Sequence, residues 1–269
     1  MSEGQFKQGF EIPVDHQKPP GLQKEQKGPD PVNEHLPTED GGFQLYKAAG
    51  KLEGKKAIIT GGDSGIGRAI AILFAMEGAD SLIAYLEVEE ADAQETKKKV
   101  ESYGRKCHLL QVDLKKKEEC QKVVDTALEK MGAINILVNN AAYQNMYSLP
   151  HMKKGDTIIN NASINAYIGR PDLLDYTSTK GAIISFTRGL HNQYVGRGIR
   201  VNAVAPGPVW TPLIPATMNE KAQSEFTSPL GRPSQPSEIA TCFVFLACAD
   251  SSSISGQTLH PNGGVVVNG

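Results

Sequence analysis

Ala57-Ile-Ile-Thr-Gly-Gly-Asp-Ser-Gly-Ile-Gly67 is the stretch that decides the fold. A short apolar run, Ala57 to Ile59, reads as a buried strand ending at Thr60. A turn follows in which Gly61, Gly65 and Gly67 are spaced G-x-x-x-G-x-G. Beyond it, Ile66, Ile70, Leu73 and Phe74 recur at helical spacing. Strand, glycine turn and helix together are the setting in which a glycine motif binds a dinucleotide. Glycine lets the backbone come close to a pyrophosphate, and the start of a helix offers unpaired N–H groups and a positive dipole end. Glycines alone would equally fit an ordinary strand-to-helix turn; the flanking elements favour phosphate binding. The candidate contacts are Gly61, Asp63, Ser64, Gly65, Ile66 and Gly67.

The chain has 269 residues, enough for one large α/β domain. Its formal net charge is -2, so no basic field exists to hold nucleic acid or an anionic membrane surface. The N-terminal segment is rich in Gln, Lys and Pro and lacks the apolar stretch of a secretory signal. No run approaches the ~18 apolar residues of a membrane span. Cys107, Cys120, Cys242 and Cys248 are scattered through apparent core elements, which suits buried thiols and a reducing, cytoplasmic compartment. Neither the cysteines nor the histidines show metal-ligand spacing, so no metal site is expected.

Residues 1–50 differ from the rest. Pro13, Pro19, Pro20, Pro29, Pro31 and Pro37 punctuate a segment with little periodicity, expected as an extended arm or linker. It is either disordered or laid on the domain or a neighbouring subunit, with Phe6, Phe10, Phe43 and Tyr46 as anchors. From residue 51 onward strand and helix alternate. Expected strands are Lys56–Thr60, Ser81–Tyr85, Cys107–Val112, Ile134–Asn139, Thr157–Asn161, Ile199–Val204 and Gln257–His260. Expected helices are Ile66–Gly78, Glu89–Tyr103, Lys115–Met131, Leu173–Arg197 and Pro236–Cys248. Alternation of this kind implies right-handed crossovers and a doubly wound parallel sheet, a Rossmann-type three-layer α/β domain over 51–269.

Tyr176-Thr-Ser-Thr-Lys180 carries the chemistry. Spacing of four puts both side chains on one helix face, one turn apart. A free phenol has a pKa of about 10, and a nearby ammonium favours its ionised form. The pair is therefore a proton donor and acceptor suited to an alcohol–carbonyl couple. Ser163, at the end of the preceding strand, is placed to hold the reacting oxygen. A lone Y-x-x-x-K is common by chance; its position after Asn-Ala-Ser163, in a chain with the glycine turn, gives it weight.

Together these motifs resemble the classical short-chain dehydrogenase/reductase family, from about Lys51 to the C-terminus. Thr60–Gly67 matches the cofactor turn, Asn139-Asn-Ala-Ala142 the N-N-A-G motif, and Ser163, Tyr176 and Lys180 the catalytic set. Pro206-Gly207, with Val209 and Thr211 beyond, matches the loop that meets the nicotinamide. The resemblance implies that Tyr176 is general acid/base, that Lys180 lowers its pKa and holds the nicotinamide ribose, and that Ser163 orients the substrate oxygen. It also implies cofactor contacts at Tyr85, Leu86, Asp113, Leu114, Asn140 and Ala141, a small alcohol or carbonyl substrate, and a homotetramer. The arm and the Gly50-Lys-Leu-Glu-Gly-Lys lead-in resemble an N-terminally extended, bacterial-type branch of general oxidoreductases and aldehyde reductases.

Two departures stand out. The connector 141–156 joins two strands expected to be parallel, where the family has a full helix with an asparagine that completes a proton relay. About thirty to forty residues are short by the needs of a helix and its connections. Either the connector is truly shortened or a segment is missing from the sequence; the intact flanking motifs favour the second. Asn145 is the candidate relay asparagine. The second departure is at the end of the second strand, where Tyr85-Leu-Glu87 offers no arginine to a 2′-phosphate and Asp63 would repel one. NAD is expected ahead of NADP. Trp210, Leu213, Ile214, Met218 and Phe226 are expected in a lid, as an apolar substrate wall or simply as its packing. The competing reading is a nucleotide-binding relative without turnover. Gly62-Asp-Ser-Gly65 also matches the nucleophile loop of trypsin-like proteases, but it lies between a strand and a helix, not in a β-barrel.

Overall fold

The computed structural model describes residues 4–39, 41–141 and 147–267. A two-stranded antiparallel hairpin, β1 (His35–Pro37) and β2 (Phe43–Leu45), lies within the arm. The domain then runs β3 (Lys56–Thr60), α1 (Gly65–Met76), β4 (Asp80–Tyr85), α2 (Glu90–Ser102), β5 (Cys107–Gln111), α3 (Lys117–Met131) and β6 (Ile136–Asn139). It continues with β7 (Thr157–Asn161), α4 (Asn165–Ile168), α5 (Leu174–Tyr194) and β8 (Arg200–Val204). The short helices α6 (Leu213–Thr217) and α7 (Glu220–Ser224) precede α8 (Pro236–Ala247) and β9 (Thr258–Leu259).

The large sheet has the order β5-β4-β3-β6-β7-β8-β9, every pairing parallel. The central strands β3, β4, β6 and β7 are buried almost throughout because helices cover both faces. One layer packs Ile70, Phe74, Phe243 and Val244 of α1 and α8 on the sheet; the other packs Val123, Val124, Ala127 and Leu190 of α3 and α5. The strand order reverses between β3 and β6, and a crevice opens at the carboxyl ends of such strands. All seven expected strands and five expected long helices are present, with ends displaced by at most two residues except at α5, which stops three residues early and continues as a 3-10 turn to Arg197.

β6 and β7 are adjacent and in parallel register, Asn139 opposite Asn160. Between them the described residues hold only one helical turn, Leu149–His151, whose Leu149 is buried together with Met152 against the α3/α5 layer. Among the described residues no helix is long and apolar enough to cross a membrane.

The arm is ordered on the body. Its backbone bonds to the segment before α8: Gly9 N donates to the Gly231 carbonyl (2.8 Å) and Gln17 N to that of Pro215 (3.0 Å). Trp210 is fully buried against Ile12 and Ile214, and its indole N–H donates to the Pro29 carbonyl (3.0 Å). Three of the expected anchors act as such. Phe10 packs beside Ile12, Phe6 lies near Phe43 and under Arg232, and the Tyr46 hydroxyl donates to Glu77. The apolar lid set is thereby turned toward the arm. Trp210, Ile214, Met218 and Phe226 form one cluster with it, and only Leu213, 49% exposed, stays open to solvent. The packing reading of Trp210 is therefore the right one.

Candidate active site

Thr60 ends β3 at the crevice and organises its floor. Its hydroxyl accepts from the backbone N–H groups of Asn140 and Ala141, both at 3.0 Å. The Asn140 amide donates to the Thr60 carbonyl (3.0 Å) and to that of Gly61 (2.9 Å). This ties the glycine turn to the end of β6. The turn needs its glycines: Gly61 has φ +62°, and a Cβ on Gly67 would lie 1.9 Å from the Gly61 carbonyl oxygen. At the start of α1 the Arg68 N–H is bonded to Ser64 O, whereas no hydrogen bond joins the N–H groups of Ile66 and Gly67 to another described residue.

The Ser163–Tyr176–Lys180 set converges from two elements. Ser163 follows β7, and its loop is fixed by Ile164 N donating to the Pro206 carbonyl (2.9 Å) and Asn165 N to the Ser163 hydroxyl (3.2 Å). Tyr176 and Lys180 lie on one face of α5, the ammonium 5.6 Å from the ring centroid. Lys180 is buried, and its Nζ donates to the Asn161 carbonyl (3.1 Å). The Asn161 amide in turn donates to the Asn140 side chain (2.9 Å), so one polar chain runs from Lys180 to the glycine turn. Neighbouring Asn139, Asn160 and Thr187 are linked by two further bonds of 2.9 Å below it.

Burial pushes the Tyr176 hydroxyl up from its ordinary value, and its hydrogen bond with Ser163 acts the other way. Burial pushes Lys180 down to about 8. The ammonium points to a backbone carbonyl, and burial is the largest influence on both groups. A protonated phenol beside a serine hydroxyl is an acid ready to donate.

At the β4 end, Tyr85 is buried with its hydroxyl donating to Glu90 (2.6 Å), while Leu86 is partly exposed. Glu89 accepts from Leu86 N (2.8 Å), and burial, then the charge of Asp63, raises its pKa to about 7. Asp63 is buried and also raised, chiefly by desolvation. Arg68, the arginine nearest the turn, is committed to the Asp63 carbonyl (2.8 Å), Thr96 (2.9 Å) and Asp92. Asp113 caps the loop after β5 through Lys115 N (3.1 Å), next to which Leu114 is half-buried. Val209 and Thr211 are buried, and Thr211 packs 3.2 Å from where a Cβ on Gly65 would stand. A Cβ on Gly207 would meet Asn262 at 2.7 Å, so that loop is pressed onto the C-terminal segment. Asn145 lies outside the described residues. Asn161, Glu89 and Arg68 escaped the sequence reading; the pairing of Asn139-Asn140 with Asn160-Asn161 on adjacent strands was the available signal.

Comparison with known proteins decides the family. A family model described as short chain dehydrogenase matches residues 55–156, and one described as enoyl-(acyl carrier protein) reductase matches 145–266. The glucose and ribitol dehydrogenase of Daucus carota is 46% identical over 290 aligned positions, covering 94% of this chain and 98% of that protein. This chain belongs to the short-chain dehydrogenase family. Arabidopsis thaliana NADPH-dependent aldehyde reductase 1, chloroplastic, is 45% identical, covering 91% of this chain and 99% of its own. Among solved structures, a short-chain dehydrogenase from Burkholderia cenocepacia in complex with NADP superposes with a TM-score of 0.73 at 29% identity, over 80% of this chain and 98% of its own. The alignment to the carrot enzyme is longer than the 269-residue chain, so that short-chain dehydrogenase carries residues that face gaps here. The chain is an enzyme of this oxidoreductase family.

Proposed function

We propose that the protein transfers hydride between a nicotinamide cofactor and a small alcohol or carbonyl compound, with Tyr176 as general acid/base. The observation that carries this is the convergence of Tyr176, Ser163 and the buried Lys180 on a polar chain leading to the glycine turn. The turn fits a dinucleotide. Gly67 lets the start of α1 press directly onto the Gly61 carbonyl, and the N–H groups of Ile66 and Gly67, bonded to no other described residue, form a cradle for a pyrophosphate. Asp63 and Ser64, Tyr85 and Leu86, Asp113 and Leu114 would border the adenosine half. Asn140, Ala141, Pro206, Gly207, Val209 and Thr211 would border the nicotinamide half. When bound, the nicotinamide supplies or takes up the hydride.

In the reducing direction the Tyr176 hydroxyl gives its proton to the carbonyl oxygen, and the Ser163 hydroxyl donates a hydrogen bond that holds this oxygen in place. Lys180, charged below about pH 8, stabilises the phenolate left behind and bonds a ribose hydroxyl. NAD is the preferred cofactor in this reading. Asp63 and Glu89 are acidic, and Arg68, the arginine nearest the turn, is already bonded to the turn and Asp92 and so is not free to meet a 2′-phosphate. An NADPH-dependent relative and a structural neighbour in complex with NADP make NADP the alternative.

A cytoplasmic homotetramer, with the Val265–Val267 run meeting a neighbouring subunit, is part of the same proposal; Val266 is 86% exposed. So is the division into an arm (1–50) and a catalytic domain (51–269), with the missing crossover helix between 142 and 156 and Asn145 as its remnant. The short connector is the one observation favouring the second reading, binding without turnover. Oxidation of NADH and of NADPH against a panel of aldehydes and ketones, beside direct cofactor titration, tests both. Turnover supports the enzyme; tight cofactor binding with no turnover across the panel supports the second reading. A strong preference for NADPH removes the NAD assignment.

A further inference from the structure

The arm reaches the glycine turn itself. Gln23, buried, accepts at Oε1 from the Gly65 N–H (3.0 Å), the first N–H of α1. Ser64, at the helix N-cap, makes no side-chain capping bond, so the cap comes from a side chain more than forty positions earlier in the sequence. The backbone N–H groups of Gln23 and Lys24 donate to the Asp92 carboxylate (2.8 and 3.1 Å). Asp92 also pairs with Arg68, whose guanidinium holds the Asp63 carbonyl of the turn. On the other side, a Cβ on Gly21 would stand 2.4 Å from the Pro212 carbonyl oxygen. One arm segment, 21–24, is thus wedged between the start of α1, α2 and the loop beginning at Thr211.

We infer that Gln23 is a positioning residue for the cofactor, dividing the N–H groups at the start of α1 between the arm and the ligand. Gly65 has φ +50°, a left-handed conformation that glycine takes without steric cost but that no side chain of its own fixes, so the orientation of its peptide depends on what bonds its N–H. Gln23 holds it. The N–H groups of Ile66 and Gly67 then remain aimed at one anion instead of three donors spreading over several orientations. The inference rests on the nicotinamide reading above.

Trp210, the single tryptophan of the chain, reports separately on whether the arm is docked, because its indole is bonded to Pro29 and buried against Ile12. The test compares Gln23→Met, which keeps length and removes the acceptor, with Gln23→Glu, which keeps an acceptor. Titration with NADH and NADPH gives Kd, steady-state kinetics give kcat, and tryptophan emission gives docking. The expected result for Gln23→Met is a Kd raised about tenfold, as loss of one hydrogen bond to a bound-state donor would give. Its kcat at saturating cofactor stays within about twofold of wild type and its emission is unshifted, while Gln23→Glu, with all proteins titrated in roughly 0.5 M salt to screen the added charge, keeps Kd within about threefold. An unchanged Kd in Gln23→Met, or equal weakening in both variants, overturns the inference. Weaker binding accompanied by red-shifted emission assigns Gln23 to arm docking and overturns it as well. A wild-type protein that binds neither dinucleotide overturns the cofactor reading itself.

Discussion

Replacing Lys180 by methionine should stabilise the fold at neutral pH while abolishing turnover. Lys180 is 9% exposed, and burial pulls its pKa from 10.5 to about 8. A shift of that size corresponds to about 3 kcal/mol of penalty for carrying the charge in the folded state. Its bond to the Asn161 carbonyl returns roughly 1 kcal/mol, which the variant forfeits. The net expectation is a gain of about 2 kcal/mol at pH 7 for Lys180→Met. The sign follows from proton counts. Between pH 8 and 10.5 the unfolded lysine holds its proton and the folded one has lost it, so wild-type stability rises through that window. The advantage of the variant should therefore be full below pH 8 and gone by pH 10.5. Urea unfolding of both proteins at matched concentration, at several pH values from 7 to 10.5, reads the difference directly, and other titrations cancel in the comparison. A variant less stable than wild type at pH 7, or a difference flat across the window, would refute the reasoning.

Three further outcomes are expected. Glu89→Gln keeps an acceptor for the Leu86 N–H and removes a carboxyl whose pKa is raised to about 7, so it should stabilise at pH 8 by on the order of 1–3 kcal/mol. That gain should shrink toward zero by about pH 4.5, where folded and unfolded wild type are both protonated; denaturant midpoints at the two pH values check it. Gly67→Ala drives a Cβ to within 1.9 Å of the Gly61 carbonyl oxygen, so calorimetric titration should show at least a tenfold loss of cofactor affinity, about 1.4 kcal/mol or more. Trp210→Phe leaves the Pro29 carbonyl unpaired and a void beside Ile12, and should lower stability by about 2–3 kcal/mol, seen as a lower melting temperature.

The strands and long helices were legible because β3 and β4 carry apolar runs (Ala57–Ile59, Leu82–Tyr85) and the helices between carry clear periodicity. The glycine turn and the Tyr176–Lys180 spacing were legible for the same reason: both are local patterns that geometry converts directly into placement. The docking of the arm was not. It depends on single polar side chains meeting distant backbone, Gln23 to Gly65, Gln223 to Asp15 and Gln235 to Val32, and no periodicity marks such residues. Nor was the direction of the Tyr176 shift, because desolvation depends on what covers the side chain and not on its neighbours in sequence. The lid residues were read as apolar but not as facing the arm, since apolar character does not say which surface it will meet.

The most direct test of the central claim is the turnover number of Tyr176→Phe at saturating reduced cofactor, with the Kd for that cofactor measured on the same preparation. Loss of the Tyr176 hydroxyl, the group assigned to give up the proton, predicts a fall in kcat of about a thousandfold, with Kd changed less than about threefold. A kcat within tenfold of wild type would show that the proton comes from elsewhere and would contradict the account.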